Sequence, residues 1–101
     1  GFTVRSTFIR RDARQALESL AEQRPFELIF LDPPYGKHLA PSLLAAISAG
    51  KLLAADGLIC AETARTDEVP PQIGALERIE LRTYGITAVH FFQHHASETE
   101  V

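Results

Sequence analysis

The residues Phe30-Leu31-Asp32-Pro33-Pro34-Tyr35-Gly36 carry the densest chemistry in this chain. Two prolines after an Asp hold their surroundings rigidly, because each pyrrolidine ring fixes φ and neither residue has an N–H. The Asp32 carboxylate and the carbonyl at Pro33 thus form a pair of hydrogen-bond acceptors at the end of an apolar run. Such a corner suits a conjugated exocyclic amine, whose lone pair is delocalised into an aromatic base. Acceptors that draw on its protons make the nitrogen a better nucleophile while an electrophilic methyl group arrives in line, and in-line transfer depends on fixed positions. Tyr35 offers a face on which an extruded base can stack, worth about 1–3 kcal/mol against an extrusion cost of a few kcal/mol. Taken alone, the tetrapeptide also reads as a plain turn with Tyr35 packed as a lid. Its setting between a strand and a helix favours the chemical reading.

The elements that must position this corner alternate in type. Residues 2–9 are rich in β-branched and aromatic side chains and predict a strand. Asp12 precedes a helical stripe of Ala13, Ala16, Leu17, Leu20 and Ala21, and Asp12 with Gln15 resembles a capping box. Pro25 ends that helix, and the nearly continuous apolar run 26–31 predicts a central parallel strand covered on both faces. Pro41 suits a first helical turn, with Leu43, Leu44 and Ile47 on one face. Gly50 breaks that pattern, and residues 51–55 read as a short further turn. Residues 58–62 give a third apolar strand ending in Glu62, and 63–74 read as a loop. Residues 76–84 and 87–93 predict two last strands, joined tightly at Gly85. The pattern is β-α-β-α-β followed by an antiparallel hairpin, an α/β sheet whose ligands belong at the strand carboxyl ends. Asp12, Asp32 and Glu62 all fall at such ends.

The run of motifs resembles the RsmD family of small-subunit (16S) ribosomal RNA guanine-N2 methyltransferases, within the Rossmann-like class I methyltransferases. The match covers nearly the whole chain: Asp12-Ala13 before a helix, residues 26–36, Gly57-Leu58-Ile59 with Glu62, and Tyr84-Gly85-Ile86-Thr87 before a closing apolar strand. The Asp-Pro-Pro-Tyr element is shared with many amine methyltransferases, including DNA adenine enzymes; the Tyr-Gly-x-Thr ending and the compact spacing favour RsmD. The resemblance implies S-adenosyl-L-methionine as cofactor and ribosomal RNA or the small ribosomal subunit as partner. It implies Asp32, Pro33, Pro34 and Tyr35 as catalytic residues, and Asp12, Ala13 and Asp32 as cofactor-binding residues. Asp12 reads alternatively as a helix N-cap, a role compatible with the first. An adenine-N6 methyltransferase and a non-catalytic interaction domain on the same scaffold are the alternatives.

The chain departs from the family in lacking a Gly-rich turn, since none of its six glycines forms a Gly-x-Gly pair. By the resemblance, residues 1–95 are the C-terminal part of a methyltransferase domain, holding strands 3, 4 and 5 and the 6–7 hairpin without strands 1 and 2. Residues 96–101 form a tail of disordered composition. The central strand would then have an exposed edge, closed either by direct pairing of strands 3 and 4 or by self-association. The isolated chain is expected to lack normal cofactor affinity and activity.

Composition narrows the classes further. The net charge of −3 speaks against a domain that holds a phosphate backbone unaided. Arg5, Arg10, Arg11 and Arg14 either contact RNA phosphates or form a solvated face. No apolar run approaches the roughly 18 residues of a membrane helix, and no cationic leader precedes one, so no membrane partner is expected. The single cysteine, Cys60, fits a reducing, cytoplasmic setting and reads as a core thiol. His90, His94 and His95 lack a Cys or acidic partner at ligand spacing, so no metal is expected. Tyr84 and Thr87 read as residues that set the hairpin.

Overall fold

The computed structural model describes residues 6–10, 26–32 and 39–95. Among the described residues, six strands form one mixed sheet: β1 (Ser6–Arg10), β2 (Phe26–Asp32), β3 (Leu53–Ala64), β4 (Gln72–Ile73), β5 (Leu76–Tyr84) and β6 (Thr87–His94). They lie in the order β1-β2-β3-β6-β5-β4. The first two pairings are parallel and the remaining three antiparallel. Helix α1 (Ala40–Ala49) connects β2 to β3. The expected α/β sheet and its closing hairpin are therefore present. The expected helix after Asp12 and the tail 96–101 lie outside the described residues. Ser6 to Arg10 pair with Leu28 to Asp32, so β1 covers the edge of β2 directly.

Helix α1 forms where expected. Pro41 stands in its first turn, and Ala40, Leu43, Leu44 and Ile47, spaced i, i+3, i+4, i+7, are all buried. They pack on one sheet face against Ile29, Leu31, Ile59, Ala61, Leu76 and Phe92. Burying each large aliphatic side chain of this set stabilises the fold by about 1.5–3 kcal/mol.

Helix α1 ends at Gly50, where the break was expected, but Gly50 is not the left-handed residue of that ending. Gly50 keeps right-handed angles (φ −81°, ψ −4°), and the left-handed position falls on Lys51, with φ 55°. The N–H of Lys51 donates to the Ser48 carbonyl at 3.2 Å and that of Leu52 to Ile47 at 3.1 Å, the paired bonds of a Schellman ending. Burial of Leu52 and the 2.7 Å bond from the Phe26 N–H to its carbonyl fix where the chain must turn back. A side chain at a left-handed position costs about 1–2 kcal/mol, against about 0.5–1 kcal/mol of extra unfolded-state entropy for Gly. Lys51→Gly is thus expected to raise the urea midpoint modestly, by about 0.5–1 kcal/mol of stability. A lower midpoint would show that Lys51 is not strained.

Two further expectations are corrected. The turn at 51–55 is instead the start of β3, which runs from Leu53 to Ala64. The register jumps from Phe26 opposite Leu53 to Leu28 opposite Leu58, so the intervening residues bulge out with Ala55 and Asp56 exposed. Their small and polar composition belongs to this bulge, and a Cβ at Gly57 would lie 2.6 Å from Leu53 Cδ1. The supposed loop 63–74 yields its first two residues to β3 and Gln72–Ile73 to β4.

Strand β2 was expected to be covered on both faces. Ile29 and Leu31 are buried under α1, but Phe30, pointing the other way, keeps 37% exposure. Among the described residues, the core packs on the α1 face of the sheet, and Phe30 on the other face is only partly covered.

Candidate functional site

Asp32 ends β2 on the open face, half-buried. Leu31 pairs with Ala61, which brings Asp32 beside Glu62 on the neighbouring strand. Glu62 in turn stands opposite Val89. These residues share a face because directly paired residues project together and alternate residues return to the same side. A hollow of ≈ 220 Å³ opens there, lined by Phe30, Leu31, Asp32, Cys60, Glu62 and Val89. Two carboxylates thus stand on otherwise largely apolar walls at the carboxyl ends of two parallel strands, the usual ligand position in open α/β sheets.

Cys60 lines this hollow and is only half-buried, rather than lying within the core as expected. Burial first, and then the Glu62 charge, push its thiol above the ordinary cysteine range. It is therefore a neutral wall group at pH 7, not a nucleophile.

Of the catalytic and cofactor-binding residues that the resemblance implied, Asp32 lies within the described residues. Asp12, Ala13, Pro33, Pro34 and Tyr35 lie outside the described residues, as do Arg5, Arg11 and Arg14. Glu62 joins Asp32 at the hollow. Sequence reasoning missed Phe30 and Val89 as its walls, although the alternation Phe30/Asp32 and Cys60/Glu62 was readable as one face of two strands.

His90, His94 and His95 are engaged in separate structural contacts. The Arg78 guanidinium lies 3.2 Å from His90 Nδ1, and His90 Nε2 lies 3.0 Å from Thr63 Oγ1. Arg78 can only donate, so Nδ1 accepts and Nε2–H donates to Thr63, whose hydroxyl passes its own proton to the Ala64 carbonyl at 3.0 Å. Arg78 also donates to the Val69 carbonyl, tying β5, β6 and the end of β3 to the covering loop. Thr63, read from sequence as loop, is the buried acceptor at the centre of this chain. His94 Nε2 donates to the Leu53 carbonyl at 2.8 Å, and His95 pairs with Glu77 at 2.9 Å. Among the described residues, no three His, Cys, Asp or Glu side chains gather as a metal site. No helix among them is long and apolar enough to cross a membrane.

Burial, and secondarily the Arg78 charge, lower the His90 pKa from its ordinary 6.5. As pH falls, the unfolded chain takes up this proton before the folded one does, so the contribution is present above about pH 6.5 and is lost below it. Urea unfolding at a series of pH values should show stability declining from pH 7 towards 5, with a shallower decline in His90→Gln. Identical slopes for the two proteins would exclude His90 as the source.

Comparison with known proteins places the whole arrangement. Residues 2–93 match the family model described as "Conserved hypothetical protein 95". A Bacillus subtilis (strain 168) protein named "Putative rRNA methyltransferase YlbH" is 37% identical over 92 residues, covering 90% of this chain and 50% of that protein. A solved conserved hypothetical protein of Streptococcus pyogenes superposes with a TM-score of 0.65 at 30% identity, over 79% of this chain and 54% of its own. A Haemophilus influenzae protein named "putative methylase HI0767" shares the fold with a TM-score of 0.65 at 23% identity, over 80% of this chain and 52% of its own. The chain thus spans about half the length of the proteins it matches. With nearly all of its residues inside the family model, this chain belongs to the RsmD-like family.

Proposed function

We propose that this chain carries the amine-binding part of an S-adenosyl-L-methionine-dependent methyltransferase acting on the exocyclic N2 amine of a guanine in small-subunit ribosomal RNA. The observation that carries the reading is the place of Asp32. It closes an interior parallel strand, opens on a hollow shared with Glu62, and is followed at once by Pro33-Pro34-Tyr35. The name of the Bacillus subtilis relative supports ribosomal RNA as the substrate class.

In this reading the Asp32 carboxylate accepts an N–H of the guanine amine and turns its lone pair towards the incoming methyl group. Pro33 and Pro34 hold that acceptor geometry, and Tyr35 stacks on the extruded base. The residues present fit part of a sulfonium donor. Two carboxylates complement its positive charge, while ≈ 220 Å³ falls short of the roughly 300–1,000 Å³ of a complete small-molecule site. When bound, S-adenosyl-L-methionine supplies the electrophilic methyl group. Asp12 and Ala13 would flank its adenine, and Asp32 with Glu62 would face its charge. A reducing, cytoplasmic setting suits the neutral Cys60 thiol in the site wall.

The test is methyl transfer by the full-length protein from labelled cofactor to small-subunit ribosomal RNA and to duplex DNA, followed by nucleoside analysis. N2-methylguanosine from RNA is the expected product. N6-methyladenosine, or label in DNA alone, would overturn the guanine assignment, and no transfer to either would overturn the enzymatic one.

A further inference from the structure

The β5–β6 connection leaves two large apolar residues in solvent: Tyr84 keeps 59% exposure and Ile86 77%. Gly85 between them has φ 57°, the left-handed value that a tight two-residue hairpin turn requires at its first central position. A Cβ at Gly85 would meet nothing within 4 Å. Two guanidinium groups flank it. Arg65 Nη1 donates to the Gly85 carbonyl at 3.4 Å, using one of five donors on its fork. Arg82 is paired with Glu80, and its guanidinium carbon lies 5.8 Å from the centre of the Phe91 ring.

Register places Arg82 and Tyr84 on the same face as the Asp32 hollow. Arg82 stands opposite Val89, and Val89 opposite Glu62, so a single row crosses the sheet from Asp32 to Arg82. Tyr84 stands opposite Thr87, and Thr87 opposite Ala64, one pleat further towards the carboxyl end of β3. Three strand spacings separate Tyr84 laterally from Asp32, about 14 Å. That is a reach suited to a nucleotide near the one extruded into the hollow.

We infer that the hairpin end grips single-stranded RNA beside the target base, with Tyr84 as a stacking platform for a flanking base and Arg65 as a phosphate donor. An aromatic face beside guanidinium groups is the combination that binds single strands with little sequence preference. Two apolar side chains ringed by charge are too small a patch for a stable protein interface, which needs roughly 800 Å² on each partner. The inference rests on RNA being the substrate, as proposed above.

The test is fluorescence anisotropy of the full-length protein with a labelled single-stranded RNA oligonucleotide over a range of salt concentrations. Tyr84→Ala should weaken binding about five-fold or more, while Tyr84→Phe, which keeps the ring, should bind as the parent does. Arg65→Ala should lower the slope of log affinity against log salt by about 0.7, the loss of one phosphate contact. Thermal midpoints of the variants check that the exposed substitutions leave the fold intact. Unchanged affinity in Tyr84→Ala, an equal loss in Tyr84→Phe, or no RNA binding by the parent at low salt would each overturn the proposal. Unchanged RNA affinity with lost binding to a ribosomal protein would make the hairpin a protein contact, and would overturn it too. Weakened RNA binding in Tyr84→Ala alongside undiminished methyl transfer in Asp32→Ala would uphold the hairpin and remove the reaction assignment instead.

Discussion

Asp32→Ala in the full-length protein is expected to lower the rate constant for methyl transfer by about 10²–10³-fold, the usual cost of deleting one preorganised hydrogen-bonding group at a reacting centre. The loss should fall equally on kcat and kcat/KM, because the bond to the amine strengthens as the nitrogen gains positive charge in the transition state. Folding should be little affected. Asp32 is the last residue of β2, half-buried on the open face, and its backbone pairing with Arg10 does not need the carboxylate. Asp32→Asn keeps one acceptor oxygen but loses the charge and should fall between the two. Single-turnover kinetics separates chemistry from binding here. An unchanged rate constant in Asp32→Ala would end the assignment of this residue, and a lowered thermal midpoint without a rate effect would make it structural.

The legible parts of this fold are those set by local pattern. The stripe Leu43, Leu44 and Ile47 marks α1 because helical spacing alone gathers these residues on one face. The hairpin is marked by Gly85, since few residues other than Gly tolerate its φ. Asp32 is legible because an apolar strand meets two residues that cannot donate to a ladder. What was hidden depends on partners distant in sequence. Nothing within residues 51–55 shows that Leu53 will pair with Phe26, so a strand beginning with a bulge reads as a turn. Thr63 reads as loop because its burial comes from His90, 27 residues away, and from the loop held over it by Arg78. The neighbourhood of Asp32 and Glu62 likewise follows from the parallel register of β2 and β3, which neither strand carries by itself. The partial exposure of Phe30 is a related case: an apolar run signals that burial suits a strand, not which other part of a protein provides it.

That two-faced character makes the second large effect unusually easy to read, because adjacent residues of β6 report on opposite sides of the sheet. Phe92 is fully buried between α1 and the sheet, opposite Ile59, with its ring 6.5 Å from that of His90. Phe92→Ala removes this packing and leaves a cavity that the flanking strands cannot close, at an expected cost of about 3–5 kcal/mol. Against a total of about 5–15 kcal/mol for a domain, that is enough to unfold much of the population on mild warming. Phe91, one residue earlier, lies half-buried on the open face beneath the Arg82 guanidinium. Phe91→Ala should cost this chain far less, on the order of 1 kcal/mol, since its ring already meets water on one side. Urea unfolding of the two variants of the 101-residue chain decides the matter. Equal losses would mean that the Phe91 face is covered in solution, whether by another part of the chain or by a second copy. A small loss at Phe91 beside a large one at Phe92 would establish a one-sided core, and with it the openness of the face on which Asp32, Glu62, Arg82 and Tyr84 stand.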